Sequence, residues 1–173
     1  MEVRNRIVLP PMTLGYGEPD ANVTQRHRDY YEARAKGGVG LIITEAASIN
    51  PERKYGLFPL GLYDDSQIAS WSEMAKVVHS HGAKVAVQLM DPGPESIQLL
   101  TGKQPVGPSP VVGHSPFRSV PRELTVGEIE GDRGVRDPEN LLKNLADHAL
   151  VHVAAAHQAG ELVGRHEFAE ASA

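Results

Sequence analysis

The stretch AKVAVQLMDPGP, residues 83–94, decides the fold. Its first half is an apolar run with valines at alternate positions, too short for a core helix, and an acid, a glycine and two prolines stop it abruptly. Such a run reads as a strand buried on both faces that delivers its last residues, from Gln88 on, into a loop. Proline cannot donate to a strand ladder, so the strand ends before Pro92. An amide and a carboxylate at the end of a buried strand are the first chemically suggestive groups in the chain.

Upstream, Ile68, Trp71, Ala75 and Val78 recur at helical spacing. Asp64, Asp65 and Ser66 put capping side chains and negative charge at the start of that helix, and Gly82 closes it. VGLIITEA, residues 39–46, is a second strand buried on both faces. The helix QRHRDYYEARAK, residues 25–36, precedes it, with Thr24 as N-cap and Gly37 and Gly38 as the stop. RIVLP, residues 6–10, is a short first strand ended by Pro10 and Pro11. Strand, helix, strand, helix, strand with short links predicts βαβ crossovers in a parallel sheet, an α/β core over residues 4–89.

Beyond Met90 the character changes. Residues 90–122 are rich in proline, glycine and serine and read as one long irregular loop. Thr125 and Glu128 stand in capping-box spacing at a further helix start, and a second helix is expected from about residue 138 to Gly160. The polar tail after it is expected to fray, so 123–173 reads as a divergent helical end of a single domain over 1–173.

Seventeen basic against 22 acidic residues leave a formal charge of −5, with no basic stripe interleaved with aromatics, so nucleic acid is not an expected partner. The chain has no cysteine, which excludes disulfides and thiolate chemistry and fits a reducing compartment. No apolar run is long enough for a bilayer and no secretory signal is evident, so a cytoplasmic protein is expected. GKQPVGPSP, residues 102–110, lacks phosphate-loop spacing.

NRIVLPPMT, YYEARAKGGVGLIITEA, LYDDSQI, HSHGAKVAVQL, GKQPVGPSP and PRELTVGEIE, in this order from Arg4 to Glu130, together resemble the N-terminal half of the Old Yellow Enzyme family of FMN-dependent oxidoreductases. The resemblance implies a (β/α)₈ (TIM) barrel, of which this chain has about half. It implies that Pro11, Met12 and Thr13 lie against the flavin, with Thr13 near its reactive edge. Ala46 then offers backbone groups to the ring, and Gln88 bonds its pyrimidine edge through an amide that both donates and accepts. NAD(P)H is the implied reductant and a small molecule the implied substrate.

A complete barrel takes roughly 250 residues. The family's fourth strand carries a pair of side chains that hold the substrate carbonyl, and the region GELVGRHEFAE, residues 160–170, offers at most His166. Where the family reads close to NHAGR after the third strand, this chain reads MDPGP, with Asp91 in place of the histidine and Pro94 in place of the arginine. Such a half-barrel leaves sheet edges exposed, so a homo-oligomer or a partner chain is expected to complete it.

Each chemically suggestive residue also has an ordinary reading. Gln88 can satisfy loop backbone and Asp91 can cap the turn before Pro92 instead of acting as a general acid or base. Glu45 either faces a ligand or pairs with a neighbouring Lys or Arg. His79 and His81 read as C-terminal helix residues. His148 and His152 stand at i, i+4 on the expected last helix, but no further ligand completes a site, so no metal is expected. Three functions stay open: an FMN-dependent oxidoreductase with Thr13 and Asp91 in catalytic roles, a cofactor-free acid–base isomerase or cyclase on a lipophilic small molecule, and a non-catalytic assembly subunit.

Overall fold

The computed structural model describes residues 2–114, 116–117, 119–133 and 151–155. Four parallel strands run in the order β1 (Val8–Leu9), β2 (Leu41–Ser48), β4 (Lys84–Met90) and β7 (Val151–Ala155). A two-residue strand, β3 (Leu60–Gly61), pairs with the last residues of β2 on the side where β1 pairs with its first. Helices α1 (Gln25–Lys36) and α2 (Ile68–Ser80) pack side by side on one face of this sheet. This is the layering of a partial barrel whose helices form its outer ring.

Local chemistry accounts for both helices. Thr24 accepts the N–H of His27 and caps α1, and Arg34 and Lys36 lie in the last turn, where the helix dipole favours cations. Asp64 accepts the N–H of Ser66 and caps a 3₁₀ turn, Asp65–Gln67, that feeds α2. Trp71, Ala75 and Val78 then point inward against Ile42, Val85 and Val87 of the sheet, all essentially without solvent exposure. At the opposite end of the sheet from the strand-end loops, the Arg4 guanidinium donates to the carbonyls of Ala35, Val39 and His81, tying together the ends of both helices.

The structure corrects two expectations. Residues 90–122 are not one irregular loop: they hold a 3₁₀ turn at Gly93–Glu95, the short helix α3 (Gln98–Thr101), and β5 (Val106–Gly107), which pairs with β6 (Arg122–Glu123). A short helix, α4 (Val126–Arg133), follows, opened by the expected Thr125–Glu128 box.

The second correction concerns residues 151–155, which form a strand and not part of a helix; the remainder of the expected helix and the polar tail lie outside the described residues. β4 has one side paired with β2 and offers the other as an unmet row of N–H and C=O groups, and β-branched Val151 and Val153 suit a ladder. Ladder pairing therefore outweighs the helical tendency of the alanines. The fourth strand thus precedes the GELVGRHEFAE segment, and His166 lies outside the described residues. His152 sits on β7, and His148 lies outside the described residues.

Candidate functional site

The register between β2 and β4 contains the device that builds the site. Ile43 pairs with Ala86 but Ala46 pairs with Gln88, so β2 spends one residue more than its neighbour across Thr44 and Glu45. Such a bulge reverses the alternation of side chains beyond it. Before the bulge Ile42 and Val85 face the helices; after it Ala47 takes that role, and Ala46 and Gln88 turn together to the face away from the helix-side core. Two residues singled out from sequence therefore stand as lateral neighbours at the strand ends.

Gln88 is half-buried, and its side-chain amide makes no hydrogen bond among the described residues. Pro11 is half-buried, and Met12 and Thr13 are exposed, on the chain leaving β1. Tyr55, from the β2–β3 loop, stands between these ends: its hydroxyl donates to the Ala46 carbonyl at 3.4 Å, with the Thr13 side chain close by. Burial, and then the charge of Glu45, push the Tyr55 phenol above its usual range, while Thr13 opposes the shift. It stays protonated and able to donate.

Asp91 has the ordinary role in this structure. Its Oδ1 accepts the N–H of Gly93 at 2.9 Å, capping the turn, and its Oδ2 pairs with Arg53 of the β2–β3 loop. Further bonds join the same two loops: Lys54 N–H to Ser96 Oγ at 3.1 Å, Ile97 N–H to the Lys54 carbonyl at 2.7 Å, and Ile49 N–H to the Met90 carbonyl at 3.2 Å. One wall of the strand-end face is thereby a single stitched unit.

Among the described residues, Glu45 pairs with neither Lys nor Arg. Its carboxylate is buried between His27 of α1, with Nε2 to Oε1 at 2.6 Å, and the N–H of Leu14, which donates to Oε2 at 3.0 Å. The Glu45 N–H donates to the Tyr31 hydroxyl at 2.8 Å, and burial first, then Glu45's charge, raise the pKa of that phenol strongly. His27, Tyr31 and Tyr55 were missed as site residues from sequence. A signal existed for two of them: His27, Tyr31 and Ala35 recur every fourth residue and mark the inward face of α1.

Of the histidines set against α2's end, His81 pairs with Glu32 of α1 at 3.1 Å. Among the described residues no group of three or more His, Cys, Asp or Glu is placed to hold a metal. Nor, among them, is any helix long and apolar enough to cross a membrane. A shallow cleft lined by Glu18, Asn50, Lys54, Phe58 and Tyr63 lies beside the strand ends, and none of Pro11, Met12, Thr13, Ala46 or Gln88 lines it.

Residues 1–131 match the family model described as the NADH:flavin oxidoreductase / NADH oxidase family. The NADH oxidase of Thermoanaerobacter brockii is 40% identical over 168 residues, 96% of this chain and 24% of that protein. Morphinone reductase superposes with a TM-score of 0.73 at 30% identity, over 87% of this chain and 44% of its own. Old Yellow Enzyme from Pichia sp. AKU4542 gives 0.74 at 27% identity, over 88% and 42%. The chain spans about a quarter of that NADH oxidase and less than half of either structure.

Proposed function

Since the chain belongs to the NADH:flavin oxidoreductase / NADH oxidase family, we propose that it supplies the FMN-facing half of an oxidoreductase barrel that passes electrons from NAD(P)H to a small-molecule acceptor. The observation that carries this reading is the Ala46–Gln88 pair, brought to one face by the bulge, with the Gln88 amide unpartnered among the described residues. A half-buried amide with both donor and acceptor unspent suits the pyrimidine edge of a flavin, which itself donates and accepts.

The other strand-end groups fit the same ligand. Pro11, Met12 and Thr13 offer a surface for a flat ring, and Thr13 and the Ala46 backbone offer polar groups at its edge. FMN, when bound, supplies hydride chemistry between the nicotinamide and the acceptor. The chain's own part is to orient that ring, with Tyr55 bonded to the Ala46 carbonyl and the stitched loops shielding one side. Asp91, held by Arg53 and Gly93, serves the wall of the site and not proton transfer.

In this reading the edges of β1 and β7 are covered by a second copy or a partner chain that supplies the remaining β/α units. Support comes from Ile7 and Val8, apolar residues that are 57 and 44% exposed along the β1 edge and that a second chain can cover. The expected setting is the cytoplasm, where NAD(P)H is at hand.

Titration of the purified chain with FMN, followed by quenching of flavin fluorescence and by the visible absorption band, tests the cofactor reading. Saturable quenching is expected, weakened in Gln88→Ala. A chain that leaves FMN fluorescence untouched, alone and in its assembled form by light scattering, rejects it.

A further inference from the structure

We infer that Glu45 is a positioning residue: its buried carboxylate clamps the chain leaving β1 onto β2 and thereby holds Thr13 at a fixed place beside Ala46. The inference deepens the flavin reading above and rests on it for the consequence at the cofactor, though not for the clamp itself.

Glu45 is 3% exposed and His27 not at all. A carboxylate is not buried without compensation, and both oxygens here are met: Oε2 by the Leu14 N–H, Oε1 by His27 Nε2. On the far side of the ring, Nδ1 lies 3.1 Å from the Thr24 backbone N and 2.8 Å from the Thr24 hydroxyl oxygen. Thr24, the N-cap of α1, thus orients the imidazole that orients the carboxylate.

The bulge is what aims this carboxylate. It puts Glu45 at the point where the β2 alternation reverses, so that the side chain reaches α1 and Leu14 while the adjacent Ala46 turns to the opposite face. The segment held is otherwise weakly determined. Residues 10–18 have no helix or strand, Met12 and Thr13 are exposed, and the Leu14 N–H has the Glu45 carboxylate as its partner. Thr13 is the next residue back from that bond. Tyr55 bonds the Ala46 carbonyl from the loop side and Glu45 holds Leu14 from within, so the clamp acts on the segment that carries Thr13.

Two consequences separate a clamp from mere core packing. Leu14 should be slow to exchange its amide hydrogen although it lies in a loop, and loss of the acceptor should release Leu14 locally. The negative charge of the Glu45 carboxylate should also oppose electron gain by a nearby flavin, so its removal should raise the reduction potential of bound FMN.

The test is amide hydrogen exchange resolved at Leu14 in the unmodified chain, in Glu45→Met, which removes the acceptor, and in Glu45→Asp, with α2 amides as the internal control. Protection of Leu14 well above that of Gly15 is expected in the unmodified chain. Exchange about tenfold or more faster is expected in both variants, α2 being unchanged. Glu45→Asp keeps the charge but draws the carboxylate back by one methylene, which covers the case in which Glu45→Met does not fold. A Leu14 amide that exchanges as freely as Gly15 in the unmodified chain overturns the clamp whatever the variants do. So does one that stays protected in a folded variant.

The same samples titrated with FMN give the second readout. A raised dissociation constant in both variants and a higher flavin potential in Glu45→Met alone support the positioning role. Normal affinity and potential in variants that have released Leu14 overturn it. An unmodified chain with a protected Leu14 that binds no FMN supports the clamp and rejects only the flavin reading.

Discussion

Ala46 and Gln88 are register partners on β2 and β4, and they face the same way only because β2 carries one extra residue across Thr44 and Glu45. Without that bulge Ala46 would keep the phase of Ile42 and point into the helix-side core, and the chain would present Gln88 alone. A single inserted residue therefore converts a pair of buried strands into a two-residue edge for a flat, polar-rimmed ligand.

Gln88→Ala should lower FMN affinity about tenfold or more, since two hydrogen bonds to a ligand edge are lost at roughly 0.5–1.5 kcal/mol each. Stability should change by under about 0.5 kcal/mol, because among the described residues the amide bonds to nothing that its removal would orphan. Fluorescence titration and urea denaturation of the same protein check both halves. A large stability loss would show that the amide serves the fold.

Asp91→Asn separates a wall residue from a proton donor. The asparagine keeps an oxygen for the Gly93 N–H and loses the ion pair with Arg53. With both partners partly solvent-accessible, a stability loss of about 0.5–1 kcal/mol, shrinking in high salt, is expected. Turnover with any accepted substrate should fall by less than about tenfold. A collapse of kcat with KM unchanged would restore Asp91 to the general acid–base role that its place in the sequence suggested.

The Arg122–Glu128 pair makes α4's start pH-sensitive. Two guanidinium nitrogens of Arg122 meet the Glu128 carboxylate, at 2.8 and 3.0 Å, and with the Thr125 N–H and hydroxyl they hold its pKa at about 2 against an ordinary 4.5. The folded pKa is depressed, so the stabilisation is complete above about pH 4.5 and is lost as pH falls toward 2. Melting of the unmodified chain and of Glu128→Gln should therefore differ at pH 7, converge between pH 4.5 and 2, and coincide below. A difference that is constant with pH would assign the effect to side-chain packing.

What the sequence disclosed and what it hid divide along physical lines. α1 and α2 were legible because caps and apolar spacing are local: Thr24, Asp64 and the Trp71–Val78 stripe suffice. β1, β2 and β4 were legible as short apolar runs, and with them Pro11 to Thr13 after β1 and Ala46 and Gln88 near the ends of β2 and β4. The bulge was not, since LIITEAAS has no period that a doubly buried strand must break. β7 was not, because VHVAA carries helical alanines, and only the open edge of β4 makes it a strand. Glu45's partner was hidden for a third reason: His27 lies 18 residues away on another element, and pairing across elements leaves no trace in spacing.

Trp71 tests whether the described core stands as one cooperative unit. Its ring is wholly buried among residues of β2, β4 and α2, and its Nε1–H donates to the Gly61 carbonyl at 2.8 Å, tying α2 to β3. Trp71→Phe keeps most of the apolar volume but leaves that carbonyl without its indole donor, at a cost of about 1–3 kcal/mol. Trp71→Ala adds a cavity in the same core and should cost about 3–5 kcal/mol. Urea denaturation followed by circular dichroism should place both midpoints below that of the unmodified chain, Ala further than Phe, with unchanged slopes. Equal losses in the two variants would mean that the hydrogen bond to Gly61, and not the packed ring, is what holds α2 to the sheet. A lowered slope would mean instead that the sheet and its helices no longer unfold together.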